Sequence, residues 1–139
     1  MPNFQFDQPA QICTVDVVLG AVIQAITISP EHFEGYRRKA DFIQRYIFPG
    51  GMLPTVREFQ GKASEVGLSC ETIHEFPLDY ARTLSAWRKQ FIGNWERIAP
   101  LGFDERFRRT WLYYLAYCEA GFTEGLIGVG IYRFVKPSA

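Results

Sequence analysis

The stretch V-I-Q-A-I-T-I, Val22 to Ile28, decides how this chain is read. It is β-branched and almost wholly apolar, with Gly20 before it and Ser29-Pro30 after it. A short run of that kind predicts a strand buried on both faces, as inside a parallel sheet. Ser29 is then placed to cap a helix with Pro30 at its first position and Glu31 in its first turn. Phe33, Tyr36, Ala40, Ile43 and Ile47 recur at helical spacing, so this helix is expected to run to about residue 47.

Working outward, Phe48-Pro49-Gly50-Gly51 stops that helix and opens a tight loop reaching Pro54. Thr55-x-x-Glu58 spells a capping box, and Val56, Phe59, Ala63 and Val66 predict a short amphipathic helix closed by Gly67. Leu68 to Phe76 reads as a second strand. Two long helices are expected next. Tyr80, Leu84, Trp87, Phe91, Trp95 and Ile98 form one apolar stripe, and Phe103, Phe107, Trp111, Tyr114 and Cys118 form the other. Pro100-Leu101-Gly102 breaks them apart. Gly128 to Val135 alternates and reads as a closing strand, while residues 1–16 show no sustained periodicity and read as an arm. Three strands and about four helices in this order suit one side of an α/β sheet and leave that sheet incomplete.

A chain of 139 residues is sized for one compact domain, and 47% hydrophobic content is enough for a core. Twelve Phe, seven Tyr and three Trp favour a large apolar pocket or an extensive interface. Fifteen basic residues balance fifteen acidic ones, which argues against a nucleic-acid binder held by bulk charge. Cys13, Cys70 and Cys118 form no C-x-x-C pair and are odd in number, so neither a zinc framework nor a disulfide scaffold is expected. A reducing, cytoplasmic setting suits them. The apolar run from Val17 to Ile28 is too short to span a bilayer, and no Lys or Arg precedes Arg37 to make a secretory signal.

Gln24 is the one polar amide inside the apolar strand. If buried it needs partners, either neighbouring backbone or a ligand. It shares a strand face with Ile26 near the carboxyl end, where ligands of open α/β sheets bind. Tyr80, just after Asp79 as a candidate cap, is either a core ring or a phenol donor at a helix N-terminus. Cys118 lies on an apolar stripe, where a thiol is a small hydrophobe with an unshifted or raised pKa. His32 and His74 lack metal-ligand spacing, and no metal site is expected. Gly125-x-x-Gly128-x-Gly130 runs into a strand instead of following one, so it is no phosphate loop. Arg37-Arg38-Lys39, and Arg106 with Arg108-Arg109, are basic clusters suited to a solvated face or to an anionic phospholipid surface.

Three separated blocks carry a resemblance. D-F-I-Q-R-Y-I-F-P-G-G-M-L-P (Asp41 to Pro54), D-Y-A-R-T-L-S-A-W (Asp79 to Trp87) and F-D-E-R-F-R-R-T-W-L-Y-Y-L-A-Y-C-E-A-G-F (Phe103 to Phe122) occur in order. From about Ala21 to Lys136 the chain resembles the C-terminal part of cyclopropane-fatty-acyl-phospholipid synthases and the related mycolic acid cyclopropane synthases. The resemblance implies the C-terminal part of a Rossmann-like S-adenosylmethionine-dependent methyltransferase fold, with residues 1–20 an N-terminal arm and 21–139 the methyltransferase-like portion. It implies addition of a methylene across a cis double bond of a phospholipid acyl chain, with bound bicarbonate as the base. Matched by motif, Gln24, Ile26 and Tyr80 take places around that bicarbonate, Phe48 lines the acyl pocket, and Cys118 matches a cysteine counted as catalytic. The glycine-rich turn and acidic strand end of the family's S-adenosylmethionine site have no match before Val22, nor do the Cys and Glu that complete the bicarbonate cage.

The expected partners are therefore phospholipid acyl chains and the membrane surface, with either a separate N-terminal half or further copies of this chain. Alone, the chain is expected to transfer no methyl group. The alternatives are a non-catalytic acyl-chain or membrane-surface binding module, and a remnant.

Overall fold

The computed structural model describes residues 20–137. Of the expected arm only Gly20 is among them, and Cys13 lies outside the described residues. The element order is β1 (Gly20–Ile28), α1 (Pro30–Arg38), α2 (Phe42–Tyr46), α3 (Val56–Glu65), β2 (Ser69–Glu75), α4 (Pro77–Gly93), α5 (Trp95–Ile98), a 3-10 turn (Ala99–Leu101), α6 (Glu105–Thr123) and β3 (Ile127–Val135). The three strands form one sheet in the order β1-β3-β2, and both neighbouring pairs are antiparallel. The strand expected to close the fold is thus its centre.

That topology corrects the reading of Val22 to Ile28. Among the described residues β1 is an edge strand paired antiparallel with β3, not a strand inside a parallel sheet, and only its Thr27 and Ile28 are buried. Val22 is 65% exposed and Ile23 38%, so the first half of β1 is apolar and only partly covered by the described residues. An uncovered apolar edge of this kind is a template for pairing with another strand.

The expected helices also appear with more breaks. The first divides at Lys39 and Ala40, because Asp41 starts a new helix with its own capping box: Oδ1 accepts the Gln44 N–H at 2.8 Å and Gln44 Oε1 accepts the Asp41 N–H at 3.0 Å. The long helix from Tyr80 stops at Asn94, whose side chain donates back to the Gln90 carbonyl at 2.8 Å. Asp79 is not that helix's cap. The helix begins at Pro77 with Phe76 in the cap position, and Asp79 in its first turn instead pairs with Arg82 at 2.8 Å. Ser29 precedes α1 as expected, with Pro30 at its start, yet its hydroxyl meets His32 Nδ1 at 2.7 Å and caps no backbone N–H. The Thr55/Glu58 box forms as read, at 3.2 and 2.9 Å. Gly67, at φ +73°, ends α3 in the left-handed region that other residues rarely adopt.

Helices cover the sheet on both faces. On one side Phe59 of α3 packs against Tyr132 and Phe134, with ring centroids at 5.2 and 6.2 Å. On the other side α4 and α6 close over the sheet. Leu84 and Ala81 from α4, Leu115 and Phe122 from α6 and Val129 from β3 make the buried core there. Arg88 holds the two helices together, its Nε and Nη2 donating to Glu119 Oε2 at 3.1 and 2.9 Å.

Candidate functional site

Alternation along the sheet sorts the candidate residues by face. Ile26 stands opposite Val129 in the β1–β3 register, and Gln24 stands opposite Ile131. Val129 is fully buried beneath α4 and α6, and Ile26 packs on the same core cluster. Gln24, two residues before Ile26, therefore lies on that α4/α6 face. It is exposed, which corrects the expectation of a buried amide, and its side chain has no hydrogen-bond partner among the described residues.

Tyr80, Trp111, Tyr114 and Cys118 pack on the same cluster as Ile26. The Tyr80 ring meets Phe122 edge-on at 5.0 Å and Trp87 at 6.5 Å. Trp111 and Tyr114 lie 5.0 Å apart, and Phe48 presents an edge to Tyr114 at 6.4 Å. Phe48 is 58% exposed, so it forms a rim and not a floor. Ile26, Phe48, Tyr80 and Cys118 thus belong to one patch, with Gln24 on the same side of the sheet.

Burial raises the pKa of the Tyr114 phenol, and the nearby Cys118 and Tyr80 add to the effect. Burial also pushes the Cys118 thiol up to about 11, with the Asp41 carboxylate adding to it. Near neutrality this cysteine is a protonated thiol on an apolar stripe, unsuited to attack as a thiolate. Next to it, the Tyr117 hydroxyl donates to Asp41 Oδ2 at 3.0 Å; burial first, and that bond second, lift its pKa to about 12.

Trp111 joins this patch to an open cleft of about 330 Å³ between α4, α5 and α6, lined chiefly by Trp87, Phe91, Ile98, Trp111 and Leu115. Rings run from Phe48 through Tyr114 and Trp111 into the cleft, a band suited to a hydrocarbon chain. The basic clusters are partly neutralised. Arg37 and Arg38 both reach Glu34, while Arg108 pairs with Glu105 and lies over the Trp95 ring. His32 and His74 are exposed, and among the described residues no group of three or more His, Cys, Asp or Glu could hold a metal ion. No described helix is long and apolar enough to cross a membrane.

Asp41 and Tyr117 were not singled out from the sequence. The D-F-I-Q spacing of a capping box marks Asp41 as a helix start. No sequence signal pairs it with a tyrosine 76 positions away.

Residues 9–131 match the family described as mycolic acid cyclopropane synthetase, a match that reaches back into the stretch read as an arm. The tuberculostearic acid methyltransferase UfaA1 of Mycobacterium tuberculosis is 41% identical over 115 residues, which are 82% of this chain and 27% of that protein. The cyclopropane-fatty-acyl-phospholipid synthase of Escherichia coli K12 is 42% identical over 81 residues, 58% of this chain and 21% of that protein. Among solved structures, mycolic acid cyclopropane synthase CmaA1 complexed with SAH and CTAB superposes with a TM-score of 0.72 at 25% identity, covering 84% of this chain and 44% of that one. The chain spans about a quarter of the length of the curated relatives it matches. Over that span, the chain belongs to the mycolic acid cyclopropane synthetase family.

Proposed function

We propose that this chain forms the acyl-facing, base-holding part of an S-adenosylmethionine-dependent transferase that builds a cyclopropane on a cis double bond of a phospholipid acyl chain. The observation that carries the reading is the shared core of Ile26, Tyr80, Tyr114 and Cys118 behind the exposed Phe48 rim. The described residues do not fit the cofactor itself. The turns after β1 and β2 are Ser29-Pro30 and Phe76-Pro77, with neither a glycine for close backbone approach nor an N–H at the proline.

The ligand assigned to this side of the sheet is instead a small oxyanion. The Gln24 amide and the Tyr80 phenol are neutral donors on one side of the sheet, beside apolar Ile26. Bicarbonate held there would supply a base for a proton leaving the acyl chain. The faces of Phe48, Tyr114 and Trp111 would steady positive charge developing on an acyl carbon, as aromatic faces do for cations. Cys118, kept protonated, serves as wall. Any remaining part of the site is proposed to come from outside the described residues, across the open edge of β1.

The test is direct. The chain alone is incubated with labelled S-adenosylmethionine and unsaturated phospholipid vesicles, then again with a separate chain carrying a cofactor-binding half. Product only in the second mixture is expected. Cyclopropyl lipid from the lone chain would contradict its need for a complement, and none in either mixture would contradict the proposed reaction.

A second reading, as a non-catalytic acyl-chain or membrane-surface module, rests on the exposed apolar run Tyr46, Phe48 and Met52. It predicts co-sedimentation of the chain with phospholipid vesicles without turnover. Failure to sediment with either anionic or neutral vesicles would remove it.

A further inference from the structure

The Phe48 rim is held by a chain of hydrogen bonds that leaves α6 and returns to it. It starts at Tyr117, whose hydroxyl donates to Asp41 Oδ2 at 3.0 Å. The other carboxylate oxygen of Asp41 accepts the Gln44 N–H at 2.8 Å. The Gln44 side-chain Nε2 then donates to the Gly51 carbonyl at 3.0 Å. The Gly51 N–H closes the turn on the Phe48 carbonyl at 2.9 Å. The Phe48 ring finally meets Tyr114, one helical turn before Tyr117. The Phe48 N–H also donates to the Ile43 carbonyl at 2.8 Å, which holds the backbone at Phe48 and leaves the ring free to turn; residues 48–51 are otherwise exposed or only partly covered, so little packing is available to place the ring.

We propose that Asp41 is a positioning residue for the acyl-chain rim: its two carboxylate oxygens tie Tyr117 of α6 to Gln44 of α2, and through Gly51 they set the Phe48 ring against Tyr114. The inference deepens the acyl-chain reading and rests on it for its functional meaning. Asp41 spends one oxygen on the Gln44 N–H and the other on the Tyr117 hydroxyl, and an Ala in its place keeps neither bond, whereas an Asn could still accept from Gln44 and donate its amide N–H to the Tyr117 oxygen. A merely structural cap would need the Gln44 bond alone.

The experiment uses the whole chain and reads the placement of the ring without requiring activity. In the folded protein, nuclear Overhauser contacts between the Phe48 and Tyr114 ring protons are measured in the unaltered chain and in the variants Tyr117→Phe, Asp41→Ala and Gln44→Met. Tyr113→Phe serves as control, since its exposed hydroxyl takes no part in the chain of bonds. The contact is expected to weaken about fivefold in the first three, the population change that one hydrogen bond commands, and to stay in the control. Unchanged amide shifts in β1, β2 and β3 show that each variant is folded. A contact that persists in Tyr117→Phe and Asp41→Ala overturns the proposal. Binding to dioleoyl phosphatidylglycerol vesicles, read by tryptophan emission, is measured in parallel. Weakening in the same three variants ties the rim to the acyl chain. Absence of binding by the unaltered chain counts against the acyl-chain reading, while the ring contact still decides the role of Asp41.

Discussion

Tyr80 and Phe122 meet edge-on with ring centroids 5.0 Å apart, which sets the Tyr80 ring on the α4/α6 face of the sheet. Phe122 is 2% exposed, so this contact belongs to the core. Among the described residues no partner is bonded to the Tyr80 hydroxyl, and the ring does the packing.

The first prediction separates those two parts of the side chain. Phe122→Ala is expected to cost about 3–5 kcal/mol in urea unfolding, through the lost ring and the cavity left behind. Tyr80→Phe keeps the ring pair and is expected to change stability by less than about 1 kcal/mol. If Tyr80→Phe destabilises as much as Phe122→Ala, the hydroxyl is structural and not a ligand donor.

A second prediction concerns the pH dependence of Cys118. Its folded pKa, about 11, lies above the ordinary thiol value of 9.0. The fold therefore favours the protonated thiol, and that contribution is complete below the ordinary value. It is lost as pH rises through 9 towards 11, because the unfolded chain releases its proton first. With Cys13 and Cys70 replaced by Ser, alkylation of Cys118 by iodoacetamide is expected to stay slow at pH 8 and to accelerate only above pH 10. Fast alkylation at pH 8, with an apparent pKa at or below the ordinary value, would contradict the burial argument.

Much of this architecture was legible because local chemistry agreed with tertiary placement. Thr55 and Glu58 predicted a helix start that forms as written, and Gly67 ended the same helix. The stripe Phe107, Trp111, Tyr114 and Cys118 predicted α6 from periodicity alone. The orientation of the sheet was not legible. The run from Val22 to Ile28 is as apolar as a fully covered strand, and sequence does not tell which neighbour covers it. The exposed Gln24 follows from that same uncertainty. Nor did sequence show how the site's rim is tied down, since Asp41 and Tyr117 meet only through the fold.

A third prediction follows from a close approach at Gly130. A methyl group there would stand 2.9 Å from the His74 carbonyl and 3.1 Å from the Tyr132 hydroxyl. The carbonyl belongs to the paired strand and cannot retreat without opening the ladder between β2 and β3. Gly130→Ala is expected to destabilise by roughly 1–3 kcal/mol, the range for overpacking a tight site. A thermal midpoint unchanged from the unaltered chain would show that the strands yield freely.

The most direct test of the account is a titration of the isotope-labelled chain with bicarbonate, followed through the Gln24 side-chain amide and the Ile26 and Tyr80 signals. Joint, saturable shifts at these three positions, abolished by Gln24→Leu or Tyr80→Phe with the fold intact, are the predicted result. Shifts at none of them, or unsaturating shifts scattered over surface arginines, would contradict it.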